Sequence, residues 1–349
     1  MLTFSRGDAA SYPAQQRLCY LIGMNEPSRP TQTPIEISDL VAPQVQRGDM
    51  LTSRHLRSPR RRRLALPIFL FVITCVSTFW AGASNWQPLS VSDGINARRT
   101  VLRHWDQGLT YMGCVLAILL AHEMGHFLAT VKYRIPASVP IFIPCPITPI
   151  GTMGAVIAMD GRSANRREIF DIGLAGPLAG LIVAIPILWI GVQKIDPQVK
   201  GYGNERYDCP VIVEWMGHWI HPGTPTLTEV RPTQINAYFM AGWVGLLITG
   251  LNMLPVSQLD GGHVIYALFG RRAHVIARTF IFIAILFAVF GNAIIWSPMI
   301  ILVILLGTDH PPTANDFVEL GFARKLIGYA SLIIPVLCFP PYGITLDTF

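Results

Sequence analysis

The sequence predicts an all-α polytopic membrane protein of about seven transmembrane helices, with a small membrane-embedded irregular or β element. Three observations carry that expectation. Of the 349 residues, 51% are hydrophobic and only 14% are charged, whereas a soluble domain is about one-quarter charged; the mean hydropathy is +0.43. Long apolar runs recur along the chain, each at or near the ~20 residues a spanning helix needs. The basic block RSPRRRR (Arg57 to Arg63) stands directly before the first run, where the positive-inside rule places a cytoplasmic flank. Much of the net charge of +6 comes from that block, so the charge is not read as a sign of nucleic-acid binding.

Residues 1–58 are polar and proline-bearing, with MNEPSRPTQTPIEISDL typical of a stretch too poor in apolar residues to bury a core. They are expected to form a disordered cytoplasmic segment, leaving 59–349 as the membrane domain. Apolar segments follow at 64–83, 108–131, 170–193, 236–259, 274–291, 293–307 and 325–341. The fifth and sixth meet at Gly291-Asn292 and could instead make one long tilted helix. With Arg60–Arg63 inside, the loops assigned to the cytoplasm carry Lys132, Arg134, Arg162, Arg166 and Arg167, then Arg271 and Arg272, then Arg324 and Lys325. Arg98, Arg99 and Arg103 are discordant, because they fall in a segment assigned outside.

Between the second and third runs lies KYRIPASVPIFIPCPITPIGTMGAVIAM, whose five prolines between Ile135 and Ile150 forbid a continuous helix. It is too apolar for an ordinary solvated loop. An irregular re-entrant element is expected, with β-compatible residues in GTMGAVIAM, tolerated where it is buried in protein or lines a wet cavity. The six cysteines show no paired spacing, so neither a disulfide framework nor a cysteine metal site is read from them. Cys145 has no nearby base and is taken as inert.

The chemistry lies in an apolar helix. In MGCVLAILLAHEMGHFLATV, His122 and His126 are four apart and share a helix face. That spacing suits two imidazoles on one zinc, with Glu123 as general base for the attacking water. Glu123 is the only acidic residue between Asp106 and Asp160. HExxH also arises by chance, but three ionisable residues inside an apolar span are costly and point to function. A catalytic zinc takes three protein ligands and keeps a position open. NMLPVSQLDGGH (Asn252 to His263) supplies the third candidate, Asp260, the first ionisable group after a long uncharged run.

These two motifs together resemble the site-2 protease family of intramembrane zinc metalloproteases. The resemblance extends to GTMGAVIAM, to DIGLAGPLAG and to the HPP at His310–Pro312, and so covers residues 64–341. It implies one Zn²⁺ per chain held by His122, His126 and Asp260, with Glu123 as base. Asn252 and Pro255 match the family's NxxP element near bound substrate. Gly151 and Gly154 belong to the element expected to offer strand-type hydrogen bonds to an unwound substrate. Implied partners are single-span membrane proteins and the bilayer, with no nucleic acid, as in regulated intramembrane proteolysis. The loop 194–235 is too short for a PDZ domain, which places the chain nearer the PDZ-less branch that includes plastid proteases.

The remaining candidates have plainer readings. His263 is expected at the boundary of the site and not as a fourth ligand, since an open position is needed. His310 is expected to be structural, Gly176 and Gly180 to serve helix packing, and His218 and His221 to face the opposite side. Two other functions compete: a catalytically inactive protein that binds membrane helices, and a metal transporter. Retention of Glu123 argues against the first, and the lack of a trail of acidic or histidine residues across several spans argues against the second. The expected location is a bacterial inner membrane with the N-terminus cytoplasmic, because acidic residues mixed into 1–58 speak against a transit peptide.

Overall fold

The first apolar run forms helix α1 (Ala65–Ala83), and α2 (Gly94–Tyr133) returns beside it. The computed structural model describes residues 64–90, 94–256, 258–291 and 293–346; the expectations for 1–58 and for the Arg57–Arg63 flank lie outside the described residues. α2 begins well before its apolar run. It is kinked at His104 (φ −127, ψ 25), and Arg98, Arg99 and Arg103 sit on the arm before that kink. The discordant arginines thus belong to a helical arm and not to a loop.

The proline-rich linker resolves into an antiparallel hairpin of β1 (Ile141–Cys145) and β2 (Gly151–Val156), with Ile141 opposite Val156 and Cys145 opposite Gly151. The register slips between Phe142 and Pro144, as it must where a proline cannot donate to the ladder. The hairpin leans on α1. Tyr111 of α2 donates from its hydroxyl to the Ile150 carbonyl at 2.6 Å, and Ser77 donates to the Gly151 carbonyl.

Helix α3 (Arg166–Gln193) starts at a capping box. The Asn165 side chain accepts from the backbone N–H groups of Arg167 and Glu168, while Glu168 accepts from that of Asn165, so three orphan donors of the first turn are satisfied. α3 packs on α2 and on α5 (Ala237–Asn252). Twelve of the 16 residues of α5 are buried, so it is the central helix; α1 instead exposes Leu66, Ile68, Phe69 and Val76. Such exposed apolar faces need lipid around them.

At one end of the bundle, β3 (Glu205–Asp208) lies between β4 (Glu229–Val230) and β5 (Ile344–Leu346), beside the short helix α4 (Val211–Ile220). Trp243 of α5 donates from its indole nitrogen to the Asp208 carbonyl at 2.7 Å, fastening this sheet to the central helix. The basic segments gather elsewhere. Arg166 donates to the carbonyls of Ala267 and Leu268, and Arg324 grips Asp171 at 2.8 and 2.9 Å while the Tyr133 hydroxyl donates to the same carboxylate. The segments holding Lys132, Arg166, Arg271 and Arg324 therefore meet at one end. Asp171→Asn is expected to cost about 2 kcal/mol, the worth of hydrogen bonds to a charged group. Denaturant unfolding in detergent checks this, and an unshifted midpoint would reduce the cluster to a solvated ion pair.

The count of seven spans is corrected. Among the described residues, four stretches are long and apolar enough to cross a membrane: Ala65–Ala83, Gly94–Tyr133, Arg166–Gln193 and Asp260–Phe290. The last is interrupted at Gly270 (φ +57), which separates α6 (Asp260–Phe269) from α7 (Ala273–Phe290). The run at 236–259 yields a helix of only 16 residues, ending at Asn252. α8 (Ser297–Leu306) has 10 residues. The final run is broken by Pro335 into α9 (Phe322–Ser331) and α10 (Ile334–Cys338). Composition shows that these stretches are apolar; it does not show where the backbone turns.

Candidate metal centre

His122 and His126 stand one turn apart on α2, and Glu123 lies about 100° around the helix from His122. His122 is 2% exposed and Glu123 4%. The third donor arrives because α5 stops. Residues 253–256 and 258–259 lie outside any helix, and α6 restarts with Asp260 as its first residue. A carboxylate there gains from the positive end of the helix dipole. Gly261 makes the turn possible, since a Cβ at that position would lie 2.1 Å from the Met253 carbonyl oxygen.

The three donors converge. His122 Nε2 and His126 Nε2 lie 3.2 Å apart, and Asp260 Oδ2 is 3.2 Å from the first and 3.3 Å from the second. Ligand atoms about 2.0–2.1 Å from a tetrahedral zinc are separated by about 3.3–3.4 Å, so this triangle has the size of one tetrahedral face. The chemistry of the donors agrees. His126 Nδ1 lies 2.8 Å from the Ile172 carbonyl, which can only accept, so Nδ1 carries a hydrogen and Nε2 presents a lone pair in the neutral ring. Asp260 Oδ2 is buried with no hydrogen-bond partner. Lone pairs directed at one another at these distances are the arrangement that a shared cation would reconcile. Among the described residues, His122, His126 and Asp260 are the group placed to hold a metal ion.

Helix α3 forms the back wall, and its glycines matter more than a packing stripe would. A Cβ on Gly176 would sit 2.0 Å from His126 Nε2, and one on Gly180 would sit 3.2 Å from His122 Nδ1. Gly173 likewise makes room for the turn that carries Asp260, with a Cβ there 3.2 Å from the Asp260 carbonyl oxygen. Three small residues on one helix thus leave the volume in which the imidazoles stand. Spacing alone read Gly176 and Gly180 as helix–helix contact; the close approach of the imidazoles is visible only in the fold.

The expected substrate residues divide. Asn252, the last residue of α5, places its side-chain nitrogen 3.2 Å from His122 Nε2, on the wall of the centre. Pro255 lines an apolar cavity of about 590 Å³ shared with α6, α7, α8 and α10. Gly151 is taken up by structure: at φ +78 it lies against α1, where a Cβ would meet the Ser77 carbonyl at 2.8 Å. Gly154 (φ +96) is buried, but a Cβ there would meet nothing nearer than Ile248 at 4.0 Å. Of the two glycines, Gly154 is the less crowded. His221 bonds to the Val192 carbonyl and stands apart from the metal centre.

A helical membrane protein with two histidines and a carboxylate placed to hold one metal ion is the class that this fold and site define. The sequence profile described as Peptidase family M50 matches residues 110–291. The chain is also similar to the probable zinc metalloprotease EGY1, chloroplastic, of Arabidopsis thaliana, at 32% identity over 68% of this chain and 43% of that protein. Its counterpart in Oryza sativa subsp. japonica is 29% identical over 65% of this chain and 39% of its own length. The probable zinc metalloprotease EGY2, chloroplastic, of Oryza sativa subsp. indica is 27% identical over 66% and 43%. The chain therefore spans about two-fifths of the length of the relatives it matches. It belongs to peptidase family M50, the site-2 protease family of zinc metalloproteases.

Proposed function

We propose that the protein is a zinc-dependent intramembrane endopeptidase that cleaves transmembrane segments of single-span membrane proteins. The observation that carries this reading is the convergence of His122, His126 and Asp260 at 3.2–3.3 Å beside buried Glu123, inside apolar helices. Hydrolytic chemistry placed among lipid-facing helices makes sense when the substrate is itself in the membrane. The centre lies nine residues from the end of α6 and seven to eleven from the end of α2, roughly 14 Å along either helix from the basic end. That depth is about half of a 30 Å hydrocarbon core.

Zinc bound by the three donors would lower the pKa of its water to about 7 and polarise the substrate carbonyl. The protein's own residues do the rest. A substrate helix satisfies its peptide groups internally and must unwind before a carbonyl is accessible. β2, hydrogen-bonded among the described strands to β1 alone, would offer its second edge to the unwound stretch, and the Asn252 amide holds substrate backbone beside His122. Glu123 accepts the proton of the attacking water and delivers it to the leaving amine. An inactive helix-binding protein would have no use for this base.

The membrane is read as a bacterial inner membrane with the basic end of the bundle and the N-terminus cytoplasmic, following the positive-inside rule.

The experiment is cleavage of a single-span substrate by the purified full chain in proteoliposomes, alongside zinc per chain. About one zinc is expected. Chelation with 1,10-phenanthroline should stop cleavage, and added zinc should restore it. A well-folded protein that binds about one zinc and the substrate but cuts nothing would favour the inactive alternative. Metal uptake into sealed vesicles would favour a transporter.

A further inference from the structure

The HPP segment finds a place that its sequence does not reveal. His310 and His263 are 47 residues apart and both buried, at 6% and 7% exposed. His263 Nδ1 lies 2.7 Å from His310 Nε2. The other nitrogen of His310 faces the Pro311 carbonyl, which can only accept. Burial pushes the His310 imidazole below its ordinary value, so the ring is neutral near pH 7. Its hydrogen is then on Nδ1, its Nε2 accepts, and His263 must donate.

The same segment docks along one face of α6, where residues recur every third position. Tyr266 stacks on His310 with ring centroids 4.2 Å apart, and its hydroxyl donates to Asp316 at 2.9 Å. Arg278 of α7 pairs with Asp309 at 2.7 Å. The segment also reaches the start of α3, through Ala314 N–H to the Ala164 carbonyl and Arg166 N–H to the Asn315 carbonyl.

Two features of α6 show why such a fastening is needed. The helix begins at Asp260 with no side-chain cap, Leu259 being unable to supply one. An uncapped first turn frays easily, yet this turn carries a metal donor whose Oδ2 must stay 3.2–3.3 Å from two imidazoles. His263 lies on that turn, three residues on from Asp260, and its backbone N–H bonds the Leu259 carbonyl at 3.0 Å.

We infer that His310 is a positioning residue for the metal centre: through His263 it clamps the first turn of α6, and the HPP segment substitutes for the missing cap. The inference rests on the metal-centre reading above. It extends the site by two histidines that bind no metal themselves. Loss of a residue that hydrogen-bonds a ligand directly typically weakens metal binding about 10–100-fold; acting through the α6 turn, His310 belongs at the lower end of that range.

The test compares His310→Gln with His310→Asn in the full chain in detergent. A Gln amide reaches about as far as Nε2 and can accept from His263, while an Asn amide reaches only about as far as Nδ1. Zinc affinity by chelator competition, the visible spectrum of the Co²⁺-substituted protein and the thermal midpoint are read for each. His310→Asn should lose about 10-fold in zinc affinity with an altered Co²⁺ spectrum, and His310→Gln should recover most of both at a similar midpoint. Equal behaviour of the two variants, whether both intact or both impaired with lowered midpoints, would overturn the inference and leave His310 a packing residue. A wild type that takes up no Co²⁺ or Zn²⁺ would sink the metal-centre reading itself, which is seen before any variant is compared, and the clamp with it.

Discussion

Glu123→Gln is expected to lower cleavage by about 10²–10⁴-fold, the usual worth of a positioned general base, while zinc stays near one per chain. The substitution keeps size and hydrogen-bonding capacity in a position only 4% exposed, so the packing of α2 on α3 has no reason to change. It removes the one function that the glutamine amide cannot perform, accepting a proton from water. Asp260→Ala should behave differently. It deletes one corner of the 3.2–3.3 Å triangle, so zinc itself should be lost and cleavage with it. Comparing the two variants by zinc content, substrate capture and single-turnover cleavage separates base from ligand. Undiminished cleavage in Glu123→Gln would require another base, and loss of its zinc would place Glu123 among the ligands.

Much of the centre was legible in the chain because helix periodicity and cost both pointed to it. His122 and His126 must share a face if the segment is helical, and ionisable groups in an apolar run need a reason. Asp260 was recognisable as the first charge after a long uncharged stretch, although the run was read as one helix to 259. The structure splits it: α5 ends at Asn252 and α6 begins at Asp260. Hydropathy averages over such a break, since Met253, Leu254 and Val256 are as apolar outside a helix as in one. The same blindness produced the seven spans, because the run at 325–341 is interrupted at Pro335 and the helix in the run at 236–259 stops at Asn252. GTMGAV was expected to be β-compatible and is a strand, but its partner IFIPC was hidden by prolines that the register slip accommodates. Pairings across long separations, such as His263 with His310 and Gly176 with His126, carry no local signal at all.

The glycines of α3 give the second large effect. Gly176→Ala is expected to strip zinc from the centre by more than any change in helix stability explains. Alanine is favoured over glycine in a helix interior by about 1 kcal/mol, but Pro177 follows within the helix and its ring crowds a preceding Cβ in the α region, which offsets that gain. The added methyl would lie 2.0 Å from His126 Nε2 and 2.4 Å from two ring carbons. A free side chain could swing away from such a contact. His126 cannot do so and remain a donor, because its Nδ1 is fixed on the Ile172 carbonyl at 2.8 Å and its Nε2 must stay with His122 and Asp260. The ring therefore leaves the triangle, and zinc affinity should fall by at least about 10–100-fold, as for a disturbed ligand orientation. Gly180→Ala is the graded case: its Cβ would be 3.2 Å from both Cβ and Nδ1 of His122, a gap that a shift of a few tenths of an ångström relieves, so a partial loss is expected. Gly113→Ala has nothing within 4 Å of its Cβ and should leave zinc unchanged. Chelator competition on the three variants, with thermal midpoints alongside, reads the series. Wild-type zinc affinity in Gly176→Ala would mean that the imidazole finds another way to the metal, and that the small residues of α3 serve helix contact alone.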